Sequence, residues 1–178
     1  MAKVAICIAA EYEDSELDVP RERLRNAGHE VVIVGTQAGK RIKGKRGHSS
    51  ISVQKAAREV SAADFDAVVI PGGHSPDHLR LDPAMVELVK GAVKQQKLVA
   101  AICHGPQLLI EADVARNRAM TSWPSVKRDL INAGARWKDQ DVVEDGTFIT
   151  SRRPEDLEAF SAAILRWLEV ATRASLAS

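Results

Sequence analysis

The sequence predicts an α/β fold in which a mostly parallel β-sheet is covered by helices on both faces. Short, continuous apolar runs such as VAICIAA at 4–10 and DAVVIPGG at 66–73 alternate with longer amphipathic segments. A strand that is apolar on both faces is buried on both faces, which is typical of parallel sheets joined by helical crossovers. The chain has 178 residues, which suits one domain with one core.

The predicted elements follow one another along the chain. Strands are expected at 4–10, 31–36, 66–73, 97–103 and 118–123, and helices at 14–27 (kinked at Pro20), 54–60, 82–96, 106–114, 124–134 and 153–173. The glycine-rich basic segment 39–53 predicts a hairpin, and the Asp-Gly pair in VVEDGTFITS predicts another at 142–151. We therefore expect a single domain over residues 1–170, followed by a short frayed tail at 171–178.

Composition excludes several classes of protein. The formal net charge is +1, so neither nucleic acid nor an anionic membrane is expected as the main partner, and the basic hairpin is interpreted as a solvated loop because no aromatic residues interleave with it. No apolar run approaches the roughly 20 residues that cross a bilayer, and the N-terminus lacks a signal-peptide pattern. A cytoplasmic protein is expected, with both cysteines as thiols.

Ligands of such sheets bind beyond the carboxyl ends of the strands, which here lie after Ala10, Ile70 and Ile102. The first end is followed by the acidic stretch AEYEDSE. The next is followed by PGGHSPDHLR, whose paired Gly72 and Gly73 allow a sharp turn with amide groups facing the crevice. The histidines of that stretch are four residues apart, but no zinc motif surrounds them, and no metal site is expected.

The third strand end carries the strongest signal, Cys103-His104-Gly105-Pro106. A nucleophile on a sharp strand-to-helix turn is exposed above the sheet at a helix N-terminus, where the reactive thiolate is favoured. The amide of His104 and that of Gly72 or Gly73 could converge on a developing oxyanion. Cys7, in mid-strand, is expected to be a packing residue.

His104 is the last histidine of the chain, so the usual order of a catalytic triad, with its base well after the nucleophile, is excluded. Any base for Cys103 must be His104 itself, an earlier histidine, or a carboxylate such as Glu13.

Taken together, the stretches AEYEDSEL, DFDAVVIPGGHSPDHLR, VAAICHGPQLLIEADV, TSWPSVKRDLINAGARW and VVEDGTFITSR resemble the PfpI-type intracellular protease family of the class I glutamine-amidotransferase-like superfamily. The resemblance covers roughly residues 3–168. It implies a flavodoxin-like three-layer α/β/α sandwich, a homodimer or larger oligomer, and no cofactor.

The resemblance also implies site residues. Cys103 matches the family's nucleophile, His104 stands beside it, and Glu13 matches a glutamate within hydrogen-bond reach of the thiol. An acidic residue from a neighbouring subunit, which orients the histidine in protease-like members, falls on Asp77, one methylene shorter than the usual glutamate. We assign Cys103, His104, Glu13 and Asp77 to catalysis, and Gly72, Gly73 and His104 to oxyanion binding.

The expected function is that of a cysteine-dependent hydrolase-like enzyme in stress protection. Its substrates would be peptides and modified proteins, or small carbonyls such as methylglyoxal and glycated groups, as in a glyoxalase or deglycase. Aldehyde chemistry needs less than peptide hydrolysis, because the thiolate adds to the carbonyl and Glu13 moves a proton between adjacent carbons. The alternatives are a redox sensor acting through oxidation of Cys103 and a chaperone-like protein.

Overall fold

A seven-stranded sheet forms the centre of the computed structural model, which describes residues 1–177 and the side chains of residues 1–173. The strands are β1 (Lys3–Cys7), β2 (Glu30–Gly35), β3 (Arg41–Lys43), β4 (Ser50–Ser52), β5 (Lys55–Ala56), β6 (Ala67–Ile70), β7 (Leu98–Ile102), β8 (Ala119–Met120), β9 (Arg136–Trp137), β10 (Val142–Asp145) and β11 (Phe148–Ser151). The helices are α1 (Asp14–Asn26), α2 (Ser75–Leu79), α3 (Pro83–Lys94), α4 (Pro106–Glu111), α5 (Lys127–Asn132) and α6 (Leu157–Ala177).

The strand order of the main sheet is β10-β11-β7-β6-β1-β2-β5. Every neighbouring pair is parallel except β10 and β11, which form the hairpin predicted from Asp-Gly. The other predicted hairpin is also confirmed, because β3 and β4 pair antiparallel in a small sheet of their own.

Alternation along the central strands divides the core between the two faces of the sheet. Along β1, Ala5 and Cys7 pack with the helices α3, α4 and α5, whereas Val4 and Ile6 pack with α1 and α6. Because the strands of a parallel sheet are buried on both faces, each alternate side chain finds an apolar layer. The predicted three-layer α/β/α sandwich is confirmed, and Cys7 is a fully buried packing residue, as expected.

Three local predictions differ from the structure. Residues 54–60 form β5 and a 3₁₀ turn in place of a helix, because Lys55 and Ala56 extend the sheet beside β2. The strand expected at 118–123 is reduced to β8, which pairs with β9 outside the main sheet. The helix α6 continues to Ala177, through most of the expected tail; Ser178 lies outside the described residues.

Within residues 1–177, no helix combines the length and the apolar character that crossing a bilayer requires.

We expect Phe160→Ala to lower the free energy of unfolding by about 3–5 kcal/mol, the usual cost of a phenylalanine cavity. Phe160 is fully buried between α6 and the sheet. Urea denaturation measures the effect, and Val170→Ala is the matched control on the same helix, where the side chain is 68% exposed. A loss below 1 kcal/mol at Phe160 would contradict this packing of α6.

Candidate active site

The carboxyl ends of β1, β6 and β7 meet at one edge of the sheet, and backbone hydrogen bonds tie the turns that follow them together. The Glu13 amide donates to the Gly72 carbonyl at 3.2 Å, and the His74 amide donates to the Glu11 carbonyl at 2.9 Å. Gly73 has φ +73°, and a Cβ there would lie 2.4 Å from the Glu11 carbonyl oxygen. Only glycine allows this approach, which brings the start of α1 against the glycine turn after β6.

Cys103 occupies the sharp turn between β7 and α4. Its φ is +62°, an unfavourable left-handed conformation for a residue with a side chain. The surrounding structure holds it there, since the Cys103 amide donates to Ser151 and its carbonyl accepts from the Trp123 amide. Gly105 allows the turn, because a Cβ there would lie 2.5 Å from the Ile70 carbonyl oxygen. The sharp turn predicted from sequence is present, but the Cys103 side chain, which was expected to be exposed above the sheet, is only 7% exposed.

Two backbone amides, those of Gly73 and His104, donate hydrogen bonds to the sulfur of Cys103. They belong to the turns after β6 and β7, where the sequence predicts oxyanion donors at Gly72 or Gly73 and at His104. The amide of Gly72 is engaged elsewhere, because it donates to Oε2 of Glu16 at 2.7 Å. The structure therefore leaves the amides of Gly73 and His104, and not that of Gly72, facing the sulfur.

The sequence predicted Glu13 beside the thiol, but the carboxyl group that lies there is that of Glu16. Glu16 is fully buried in the first turn of α1 and is hydrogen bonded to the Cys103 thiol. Glu13 precedes the helix and, like Glu16, lines the cavity above Cys103. Its Oε1 atom, however, lies 3.2 Å from Nε of Arg46. A signal was present in the sequence, because Glu16 shares a helical face with Pro20 and Leu24, at spacings of four and eight residues, and that face is buried.

Burial governs the electrostatics of this pair. It raises the pKa of Glu16 to about 7, although the hydrogen bond from Gly72 opposes the shift. Burial also raises the pKa of Cys103, and the negative charge of Glu16 raises it further. Oε1 of Glu16 is buried without a partner of ordinary hydrogen-bond geometry, so the thiol is the neighbour with which this carboxyl can exchange a proton. Near neutral pH the Glu16–Cys103 pair therefore changes between a form that carries two protons and a form that carries one.

His104 lies on the other side of the sulfur, with Nδ1 3.3 Å from Sγ. Burial lowers its pKa, and the positive charge of Lys45 lowers it further, so the ring is neutral at pH 7. Nε2 lies 3.4 Å from Oγ of Ser125, and the ring stacks against Trp123 with centroids 6.3 Å apart.

Asp77 is exposed on α2 and lies outside the set of residues that line the cavity. Within the described chain it makes no hydrogen bond with His104. Two histidines flank Glu11: Nδ1 of His74 lies 3.7 Å from its Oε1, and Nε2 of His78 lies 3.3 Å from its Oε2. No group of three or more histidine, cysteine, aspartate or glutamate side chains in the described part of the chain is arranged to hold a metal ion.

A cavity of about 280 Å³ opens above Cys103. Its walls come from the start of α1, the tip of the β3–β4 hairpin, the turns after β6 and β7, and the segments before α5 and α6. The lining residues are Glu13, Glu16, Lys45, Arg46, Gly73, His74, Cys103, His104, Trp123, Pro154 and Glu155.

Comparison with protein families adds an independent result, since residues 2–167 match the model of the DJ-1/PfpI family. The chain belongs to the DJ-1/PfpI family. It is 49% identical over 167 residues to protein/nucleic acid deglycase 2 of Escherichia coli, covering 93% of this chain and 97% of that one. It is 44% identical to the putative cysteine protease YraA of Bacillus subtilis, covering 94% and 98%.

Among solved structures, a two-domain protein of Anabaena variabilis with DJ-1/ThiJ/PfpI-like and ferritin-like domains superposes with a TM-score of 0.94 at 46% identity. The match covers 95% of this chain and 48% of that one, so the chain spans about half of the two-domain protein. The family membership confirms the resemblance found in the sequence motifs.

We expect Glu16→Gln to remove a pH-dependent contribution to stability. The pKa of Glu16 is raised in the folded protein, so its contribution is fully present below the ordinary pKa of 4.5 and is lost as the pH rises through about 7. The wild type should therefore lose about 3 kcal/mol relative to Glu16→Gln between pH 4.5 and 7.

Urea denaturation at several pH values measures this difference. Glu22→Gln makes the same change at an exposed position of α1 and serves as the control. A wild-type minus Glu16→Gln difference that stays constant over this pH range would show that Glu16 is ionised throughout.

Proposed function

We propose that the protein is a cysteine-dependent enzyme that removes groups derived from methylglyoxal and related dicarbonyls, releasing them as 2-hydroxycarboxylates. The observation that carries the proposal is the buried Glu16 carboxyl, with a pKa of about 7, in contact with the Cys103 thiol between two amide donors. A general base is most effective when its pKa lies near the working pH.

In the first step the Cys103 sulfur forms a bond to the aldehyde carbon. Glu16 takes the thiol proton and passes it to the former carbonyl oxygen, which lies within reach of the amides of Gly73 and His104 as its charge develops. A hemiaminal adduct of an amine enters the same route after its C–N bond breaks, which releases the amine and re-forms the aldehyde.

In the second step Glu16, again a carboxylate, removes the proton from the carbon bonded to sulfur and returns it to the neighbouring ketone carbon, while the hydroxyl proton of the first carbon moves to the ketone oxygen. The first carbon is oxidised to a thioester and the second is reduced to an alcohol, so no external oxidant or reductant is needed. Water then breaks the C–S bond, which releases the 2-hydroxycarboxylate and restores the thiol.

The size of the cavity favours a small substrate over a polypeptide. Its volume of about 280 Å³ is just below the range of ordinary ligand pockets. Peptide hydrolysis also needs a group that protonates the leaving amine, and the lowered pKa of His104 leaves little of its protonated form at neutral pH for this purpose. Deglycation is the activity named for the Escherichia coli relative, and proteolysis the one named for YraA.

The buried state of Cys103 also favours catalysis over redox sensing. Peroxide reacts with exposed thiolates, whereas the raised pKa of Cys103 keeps a 7% exposed side chain as a thiol at rest. The thiol becomes nucleophilic when a substrate is present and Glu16 accepts its proton.

We expect Cys103→Ala to abolish formation of lactate from methylglyoxal, and Glu16→Gln to lower kcat by about 100-fold or more, the usual effect of losing a general base. Glu13→Gln is the matched control, because Glu13 lines the same cavity but faces Arg46, and we expect less than a tenfold loss. The wild-type kcat/KM should rise with pH through about 7 as Glu16 ionises.

Enzymatic detection of lactate in a stopped assay measures all three variants, and circular dichroism controls for folding. Turnover that survives in Cys103→Ala would overturn the proposal. A larger loss in Glu13→Gln than in Glu16→Gln would transfer the role of base to Glu13.

We also propose that the chain forms a homo-oligomer in which Asp77 acts across the interface. Asp77 is exposed on α2, and Leu81, four residues later, has a 79% exposed apolar side chain. An interface over this segment would cover Leu81 and offer Asp77 to a second copy.

Light scattering should therefore give a multiple of the 19.3 kDa chain mass, and Leu81→Asp should shift the protein to 19.3 kDa. Val170→Asp, at a position that is 68% exposed on α6, is the control and should keep the wild-type mass. A wild type that is monomeric at micromolar concentration would contradict the proposal.

A further inference from the structure

A primary amine lines the cavity above Cys103. Among the described side chains that line it, Lys45 alone carries such a group. The other side chains with nitrogen are a guanidinium, which stays protonated in proteins, two imidazoles and an indole; they belong to Arg46, His74, His104 and Trp123. Lys45 is therefore the lining residue whose nitrogen can take up an acyl group as a stable amide.

Backbone hydrogen bonds hold Lys45 at the edge of the cavity. Its amide donates to the Tyr12 carbonyl at 2.7 Å, and the amide of the next residue, Arg46, donates to the Asp14 carboxylate at 3.1 Å. Both acceptors lie in the segment that leads into the first turn of α1, the turn that also carries Glu16. The position of Lys45 is thus fixed relative to the residues that surround the thiol.

The side chain of Lys45 is free to move. Within the described side chains, no carboxylate oxygen lies within 4 Å of its Nζ, whereas the neighbouring Arg46 is paired with Glu13 at 3.2 Å. The side chain is exposed and consists of a flexible four-carbon stem. Its amine can therefore enter a cavity of about 280 Å³ without first breaking an ion pair.

The proposed function places a thioester on Cys103, which water then hydrolyses. Amines attack thioesters more readily than water does, and an amine of the same molecule reacts at an effective concentration far above that of a dissolved amine. The amides of Gly73 and His104 face the sulfur and stabilise the negative oxygen that forms, whichever nucleophile attacks. The arrangement that promotes hydrolysis therefore also promotes acyl transfer to Lys45.

We propose that Lys45 accepts the acyl group from Cys103 in competition with water, so that the chain acylates itself during turnover. The uncharged Lys45 nitrogen forms a bond to the thioester carbon, and the C–S bond breaks. The amine proton passes to the sulfur through the Glu16 carboxylate, which restores the thiol and leaves a 2-hydroxyacyl amide on Lys45. No oxidant or reductant is needed, because the acyl group only changes its acceptor. This inference rests on the proposed function, which supplies the thioester.

Acylation removes a charge that influences the site. Burial is the main influence on the pKa values of Glu16 and His104, and the positive charge of Lys45 lowers both of them. An amide carries no charge, so acylation raises the pKa of Glu16 and leaves less of its carboxylate form at neutral pH. The protein therefore slows as its turnovers accumulate.

The acceptor is identified by mass spectrometry after the wild-type protein has converted methylglyoxal. Cleavage after glutamate releases residues 31–59 as one peptide, because no acidic residue lies between Glu30 and Glu59. We expect lactoyl-lysine at Lys45 about tenfold or more above the other lysines of this peptide. Those internal controls are Lys40, Lys43 and Lys55. The ratio of acylation to lactate release should rise from pH 7 to pH 9, because only the uncharged amine attacks.

Direct glycation of lysine must be distinguished from acyl transfer, because its product carboxyethyl-lysine has the same mass as lactoyl-lysine. Synthetic peptides that carry each group separate the two by elution time. Cys103→Ala measures the direct reaction, and we expect no lactoyl-lysine in this variant. Lactoyl-lysine at Lys45 that is as abundant in Cys103→Ala as in the wild type, or no more abundant than at Lys43, would overturn the inference.

The loss of charge is tested by the pH dependence of kcat/KM. Lys45→Gln lacks the charge and should move the midpoint near pH 7 to higher pH, whereas Lys45→Arg keeps the charge and should keep the midpoint. Progress curves of the wild type should slow as turnovers accumulate, and those of Lys45→Arg, which lacks the amine, should not. The same midpoint in both variants, or the same slowing in Lys45→Arg as in the wild type, would overturn the self-limitation.

Lactate measured in the same reactions separates this inference from the proposed function. If neither lactate nor lactoyl-lysine forms, the proposed function fails and this inference fails with it. If lactate forms without lactoyl-lysine at Lys45, only this inference fails.

Discussion

The contact between the buried carboxyl of Glu16 and the thiol of Cys103 is the interaction on which the rest of the site depends. A carboxyl group in an apolar interior strongly resists ionisation, and here the amide of Gly72 offsets part of that cost. The balance leaves the carboxyl close to half-ionised at neutral pH. A more exposed Glu16 would have a pKa nearer its ordinary 4.5, and the loss of the Gly72 hydrogen bond would raise the pKa further.

Close approach of three backbone turns makes this contact possible. A Cβ on Gly72 would lie 2.6 Å from Oε2 of Glu16 and 2.7 Å from the Cβ of Cys103. The left-handed conformation of Cys103 directs its side chain toward the same point. The strained turn persists because the buried strands β6 and β7 determine the positions of both turns.

The sequence was sufficient for the elements that depend on local chemistry. Continuous apolar runs predicted the central strands, and Asp-Gly predicted the β10–β11 hairpin. The elbow at Cys103 followed from the Gly-Pro pair after the strand. These features are set by residues within a few positions of one another.

Features that depend on tertiary position could not be predicted in the same way. Glu13 and Glu16 differ by three residues and are both buried, and only the packing of α1 on the sheet decides which of them contacts the thiol. The segment at 118–123 has the composition of a strand, yet the Trp123 amide donates to Cys103 and the chain crosses over the ends of the sheet. Likewise, Trp123 lines the same cavity as Lys45 and Arg46 only because the fold brings together segments that are distant in the sequence.

The separateness of the small β3–β4 sheet has an evolutionary consequence. It contributes no strand to the seven-stranded sheet and is held mainly through Asp14, Tyr12 and the buried Ile42. Its exposed residues can therefore diverge without disturbing the strands that position Cys103. A lineage can therefore keep the turns around Cys103 and change the surface beside them, so relatives with closely similar folds can differ in the charge that surrounds the cavity.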